Sequence, residues 1–105
     1  MKVILDDKIS KVYCDKELIN IFKLLLRINS ENPGKYEEDL SIKIHNILEN
    51  EGIKSELVYV AEGRPNLYCF LKGKTDGKTV ILNGHLDTVP AGSKWKYDPY
   101  GAYED

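Results

Sequence analysis

A chain of 105 residues has room for one domain built on a single hydrophobic core. With 42% hydrophobic and 30% charged residues, its composition excludes intrinsic disorder. Its formal charge of −2, with lysines scattered along the chain, excludes the basic field that draws nucleic acid or an anionic membrane surface.

The amino-terminal stretch MKVILDDKIS meets acid at Asp6 and Asp7 before a signal-peptide core can form. No segment approaches the ~20 apolar residues of a membrane helix, so a cytoplasmic location is the expectation. Cys14 and Cys69 are the only cysteines and lack CxxC spacing, so both read as free thiols. Cys69, inside the run NLYCFL, reads as a small core residue.

The spacing of Leu18, Ile21, Phe22, Leu25 and Ile28 predicts a helix over residues 16–29, with Asp15 as its N-cap. Leu24 and Leu26 widen the apolar stripe, which predicts burial on more than one side. The segment SENPG, residues 30–34, then breaks the pattern, because Pro33 disfavours helix at Asn32 and Gly34 permits a turn. A second helix is predicted over residues 35–50, its face formed by Tyr36, Leu40, Ile44, Ile47 and Leu48. Asn50 and Gly52 supply a left-handed stop. His45 reads as a partly solvated helix residue, since no second metal ligand lies a turn away.

Strands and turns follow. IKSELVYV (53–60) and NLYCFLKG (66–73) are predicted strands, with AEGRPN a loop between them. KTDG (74–77) reads as a hairpin-type connection to a third strand, TVILNG (79–84), whose four consecutive apolar residues predict burial on both faces. Two helices followed by three strands suit one edge of an α/β sheet. Residues 93–105, SKWKYDPYGAYED, show no helical or strand period and read as an unfinished ending. Trp95, Tyr97 and Tyr100 are expected to pack the loop rather than stack on a substrate.

The chemistry concentrates in NGHLDTVPAG, residues 83–92. In extended backbone, residues i and i+2 point the same way, so His85 and Asp87 project together from the carboxyl end of the third predicted strand. A neutral imidazole is a common zinc ligand, and a nearby carboxylate fixes its tautomer and orientation. The spacing alone also fits a structural hydrogen bond. One histidine, moreover, cannot hold a metal that takes three or four protein ligands. Ser93 and Thr88 lack a base arrangement for serine-hydrolase chemistry, and GKTDGK lacks the spacing of a phosphate-binding loop.

The run VILNGHLDTVPAG resembles the first metal-binding motif of the zinc metallopeptidase and deacylase superfamily. That superfamily includes acetylornithine deacetylase, succinyl-diaminopimelate desuccinylase, aminoacylases and carboxypeptidase G-type enzymes. The motif is a hydrophobic strand followed by Gly-His-x-Asp-x-Val-Pro, matched here by Gly84, His85, Asp87, Val89 and Pro90. WKYDPYGAYED resembles the family's Trp-x-x-Asp-Pro-Phe segment, with Tyr100 in place of phenylalanine. SENPG resembles its Ser-x-Asn-Pro turn, although the family often has a second proline where Gly34 stands.

The resemblance implies the amino-terminal portion of a zinc-exopeptidase-like three-layer α/β/α domain. His85 would be a metal ligand and Asp87 the catalytic-site aspartate that orients it. Two zinc ions per complete site, replaceable by cobalt, would activate a water against the amide bond of an N-acyl amino acid or small peptide. The parent enzyme could be a homodimer. The family's Gly-Arg-Gly-x-x-Asp-x-Lys-Gly motif does not occur in residues 1–105, and neither do the Glu-Glu pair and second histidine that follow that motif in the family. Residues 1–105 therefore read as a partial catalytic domain, truncated after residue 105 and inactive by itself. The competing expectation is a small non-catalytic binding module, or a decayed remnant, derived from the same family.

Overall fold

A computed structural model describes residues 14–105. The stretch carrying Asp6 and Asp7 lies outside the described residues. Helix α1 runs Asp15–Leu26. Asp15 is its first residue rather than its cap. Cys14 holds the N-cap position in extended backbone and offers no side-chain bond to the first turn. The carboxylates of Asp15 and Glu17 lie instead inside that turn, where they favour the positive end of the helix dipole. The helix stops three residues short of the predicted end, as the Ile28 N–H turns back onto the Leu25 carbonyl at 3.1 Å.

The predicted burial of α1 on more than one side is not found. None of its residues is buried, and Leu18 and Phe22 are 53% and 59% exposed. A stripe of this width needs two neighbours, and among the described elements α1 touches only the second helix.

The turn between the helices closes when the Tyr36 N–H donates to the Glu31 carbonyl at 3.0 Å. Gly34 adopts φ +151°, and a Cβ there would lie 3.1 Å from that same carbonyl oxygen. Tyr36 itself sits in the left-handed region at φ 59°, so helix α2 cannot begin at residue 35 and runs Glu38–Asn50. Its carboxyl end bears out the expected stop at Gly52, whereas Asn50 stays in the helix as its last residue. Gly52, at φ +74°, donates to the Glu49 carbonyl, and the Ile53 N–H donates to the Leu48 carbonyl at 2.9 Å. This paired closure satisfies two carbonyls that the helix leaves over.

Strands β1, Ser55–Ala61, and β2, Arg64–Cys69, pair antiparallel from Ser55↔Cys69 to Ala61↔Arg64. The hairpin forms where a loop was expected, over AEGRPN, with Glu62 and Gly63 as its two-residue turn. Pro65 lies within β2, opposite Tyr59 and next to an irregularity in the ladder, where a missing N–H is tolerated. Helix α2 covers one face. His45 Nδ1 lies 2.7 Å from Ser55 Oγ, and the Tyr59 hydroxyl donates to Glu38 at 2.8 Å. His45 is half-buried, as expected of a partly solvated helix residue.

Among the described residues no third strand forms at 79–84, and KTDG makes no hairpin. Val80, Ile81 and Leu82 are exposed, Leu82 by 94%. Apolar composition creates demand for a neighbour, but a strand exists only where a second backbone satisfies its N–H and C=O groups. β2 ends at Cys69, and the chain beyond it runs unpaired. Cys69 is likewise exposed rather than a core residue, because it ends β2 at the open mouth of the hairpin. Two helices and a two-stranded sheet remain, an α/β arrangement. No helix among the described residues is long and apolar enough to cross a membrane.

Two outcomes follow from this packing. The exposed run Val80–Leu82 should drive concentration-dependent association in sedimentation velocity, relieved by Leu82→Lys; a monomer at every concentration would contradict this. Ser41 is fully buried, and its hydroxyl has no hydrogen-bond partner among the described residues. Ser41→Ala should therefore raise stability in urea by about 1 kcal/mol, and a loss would show that the hydroxyl is satisfied after all.

Candidate functional site

The segment around His85 has no regular secondary structure of its own and takes its shape from the turn between the helices. Thr88 N–H donates to the Ser30 carbonyl at 3.1 Å, and Asn32 N–H donates to the Thr88 carbonyl at 2.8 Å. These two bonds form a parallel bridge between Glu31 and Thr88. The Ser30 hydroxyl, on a residue only 2% exposed, adds a bond to the Leu86 carbonyl at 2.7 Å.

On this ledge His85 and Asp87 come together as the spacing predicts, although from an irregular segment and not from a strand end. His85 Nδ1 lies 2.7 Å from the backbone carbonyl of Asp87 and 3.3 Å from its Oδ1. Both are oxygens that only accept, so Nδ1 carries the proton and the lone pair resides on Nε2. The imidazole is 84% exposed, and Asp87 is 32% exposed.

The other carboxylate oxygen of Asp87 is occupied. Asn32 Nδ2 donates to Oδ2 at 2.8 Å, and Arg64 Nη2 lies 3.6 Å from it. The Asn32 bond, helped by the Arg64 charge, holds the Asp87 carboxyl below its ordinary value of 3.8. Arg64 reaches the site from the start of β2. Its Nε and Nη2 fork onto Glu37 at 3.0 and 3.4 Å, and its guanidinium lies 4.9 Å from the Tyr36 ring centre. That pairing with Glu37 raises the Arg64 value and fixes its head group.

A second carboxylate anchors the loop beyond the motif. Glu31 Oε1 accepts the Ala91 N–H at 2.9 Å and the hydroxyl of Tyr100. Trp95 Nε1 donates to the Ala91 carbonyl at 2.7 Å, while Tyr97 stacks on Tyr103 with ring centres 3.8 Å apart. Tyr100 thus packs the loop as expected. Trp95 stays 60% exposed, tied by its edge rather than buried.

A cleft of about 650 Å³ opens between β2 and residues 82–87, with Glu37, Arg64, Asn66, His85 and Asp87 on its walls. Its size suits a small molecule. Among the described residues no group of three or more His, Cys, Asp and Glu side chains is placed to hold a metal ion. His85 offers a suitable donor atom, but one donor alone does not bind zinc.

Asn32, Arg64 and Glu31 join the site without a signal in the sequence: Asn32 and Glu31 belong to the turn segment SENPG, and Arg64 to the predicted loop AEGRPN. Their partners lie 55 residues or more along the chain for Asn32 and Glu31, and no periodicity spans such a gap.

No protein-family model matches the chain, and no solved structure matches it. Curated enzymes do. The chain is similar to aminoacylase-1 of Dictyostelium discoideum, 33% identical over 94 residues, which cover 87% of this chain and 22% of the relative. Succinyl-diaminopimelate desuccinylase of Sulfurimonas denitrificans is 34% identical over 87 residues, 82% of this chain and 22% of that enzyme. The same-named enzyme of Wolinella succinogenes is 36% identical over 55 residues, 52% of this chain and 12% of that enzyme. The chain thus spans about a fifth of the length of the first two relatives, 22% of each. Over that stretch the likeness supports a relationship to the peptidase and deacylase family whose motifs the sequence resembles.

The anchor at Glu31 should respond to pH at both ends of the scale. Tyr100 and then Ala91 donate to Glu31 and lower its value from 4.5, while the same bond pushes Tyr100 up to about 12. A lowered carboxylate stabilises the docked loop above its ordinary value and loses that effect as pH falls through the lowered one. A raised phenol acts in the opposite sense, its contribution fading as pH rises from 10 towards about 12. Docking should therefore hold at neutral pH and loosen at both extremes, as read from the Ala91 amide shift. A shift that stays flat at every pH below about 5 would contradict it.

Proposed function

We propose that this chain forms part of a metal-dependent hydrolase acting on the amide bond of an N-acyl amino acid or small peptide. His85 donates its Nε2 lone pair to the metal, and Asp87 aims the ring. One observation carries this reading above the others: both acceptors on Nδ1 belong to Asp87, which leaves Nε2 as the donor beside a cleft of about 650 Å³. The names of the relatives, an aminoacylase and desuccinylases, give the reaction class.

Zinc is the metal that suits a neutral imidazole backed by a carboxylate, with cobalt as its substitute. When bound by a complete donor set, such a pair of ions supplies an acidified water and a Lewis acid. This chain contributes one corner of that set. The remaining donors and the general base belong to other residues, so these 105 residues are inactive by themselves. In the complete enzyme, further strands of a three-layer α/β/α domain would cover the open sheet and the run Val80–Leu82.

Titration with Co²⁺, followed by proton NMR, tests the donor assignment. The ring protons of His85 should broaden before those of His45, and His85→Ala should abolish that early broadening. Asp87→Asn should weaken the Co²⁺ effect on His85 by about 10–100-fold, since the ring loses its charged orienting partner. If both histidines broaden together, the reading fails.

A further inference from the structure

The turn between the helices does not need the side chain of Asn32. Its closure runs through the Tyr36 N–H and the Glu31 carbonyl, and its bridge to Thr88 uses only the backbone N–H of Asn32. The carboxamide is therefore left over for another task. Its nitrogen lies 2.8 Å from Asp87 Oδ2, and because a carboxylate only accepts, the NH₂ and not the oxygen faces it. Arg64 Nη2 approaches the same oxygen at 3.6 Å from the opposite element, β2. With Oδ2 bonded to Asn32 and faced by Arg64, Oδ1 is turned towards His85 Nδ1 at 3.3 Å.

We infer that Asn32 is a positioning residue for His85: by pinning Asp87 Oδ2 it keeps the imidazole proton on Nδ1 and the lone pair on Nε2. The inference adds a residue to the site proposed above, and its use for a metal rests on that reading. The tautomer held here is the one a free histidine side chain disfavours, so it needs a standing cause. The backbone carbonyl of Asp87 supplies one acceptor, and the carboxylate supplies the charged one. Asn32 is well placed to keep the second in register, because its own backbone is bonded to Thr88, the residue after Asp87.

The test needs no metal. Two-bond ¹⁵N–¹H NMR at about pH 8, above the range in which a free imidazole titrates, reads the tautomer of His85 directly. The native chain should show protonated Nδ1. In Asn32→Ala the ratio of Nδ1–H to Nε2–H should fall about tenfold, while the amides of position 32 and Thr88 keep their protection from exchange. An unchanged ratio with that protection intact would overturn the inference. Should Asn32→Ala lose the backbone bridge altogether, the native chain still decides. One carboxamide proton of Asn32 should resonate downfield and return to the free-amide position in Asp87→Ala, whereas a free-amide pattern in the native chain overturns the inference. The Co²⁺ titration separates the two ideas. A tautomer that follows Asn32 in a chain whose His85 ignores Co²⁺ leaves the positioning role standing and removes the hydrolase reading.

Discussion

Two backbone hydrogen bonds decide the arrangement of everything of chemical interest in this chain. Thr88 donates to Ser30 and accepts from Asn32, so a stretch without secondary structure of its own is held in register against the connection between two helices. Once that register is set, Leu86 falls under the Ser30 hydroxyl, Asp87 beside the Asn32 carboxamide, and Ala91 within reach of Glu31. Each of these side-chain bonds depends on the two main-chain ones, because a shift of one residue would carry each group away from its partner.

The charges are arranged around the same ledge. Glu37, just before α2, fixes Arg64, which starts β2, and Arg64 in turn faces Asp87. The hairpin, the second helix and the His85 segment are thereby joined through one guanidinium. Its rigid fork serves two carboxylates at once, which a lysine ammonium would do without directional control. All of these groups are partly solvated, so the network sets direction more than it adds to stability.

Much of this was legible in the residues, and the parts that were not share a cause. The helices follow local periodicity and were recovered to within a few residues. The errors at their ends come from Cys14 taking the cap and Tyr36 taking a left-handed conformation. Gly52 ended α2 as its chemistry requires. His85 and Asp87 were found because their partnership is two residues long. TVIL was misread because apolarity signals that a segment wants cover, not that cover is present. Asn32, Glu31 and Arg64 escaped because their roles exist only after distant segments meet, and a side chain that reads as a turn former or loop charge gives no sign of such a meeting.

The shape of the interhelical connection has a consequence for borrowing from related enzymes. Gly34 sits at φ +151°, whereas proline is locked near −65°, so the Asn-Pro-Pro form common in the resembling family cannot be laid onto this backbone. A double-proline graft would have to redraw the path from Glu31 to Tyr36, and Glu31 is the hinge-post on which the Ala91–Tyr100 loop hangs. Position 34 thus governs how far coordinates from a double-proline relative can serve as a template for the loop from Ala91 to Tyr100.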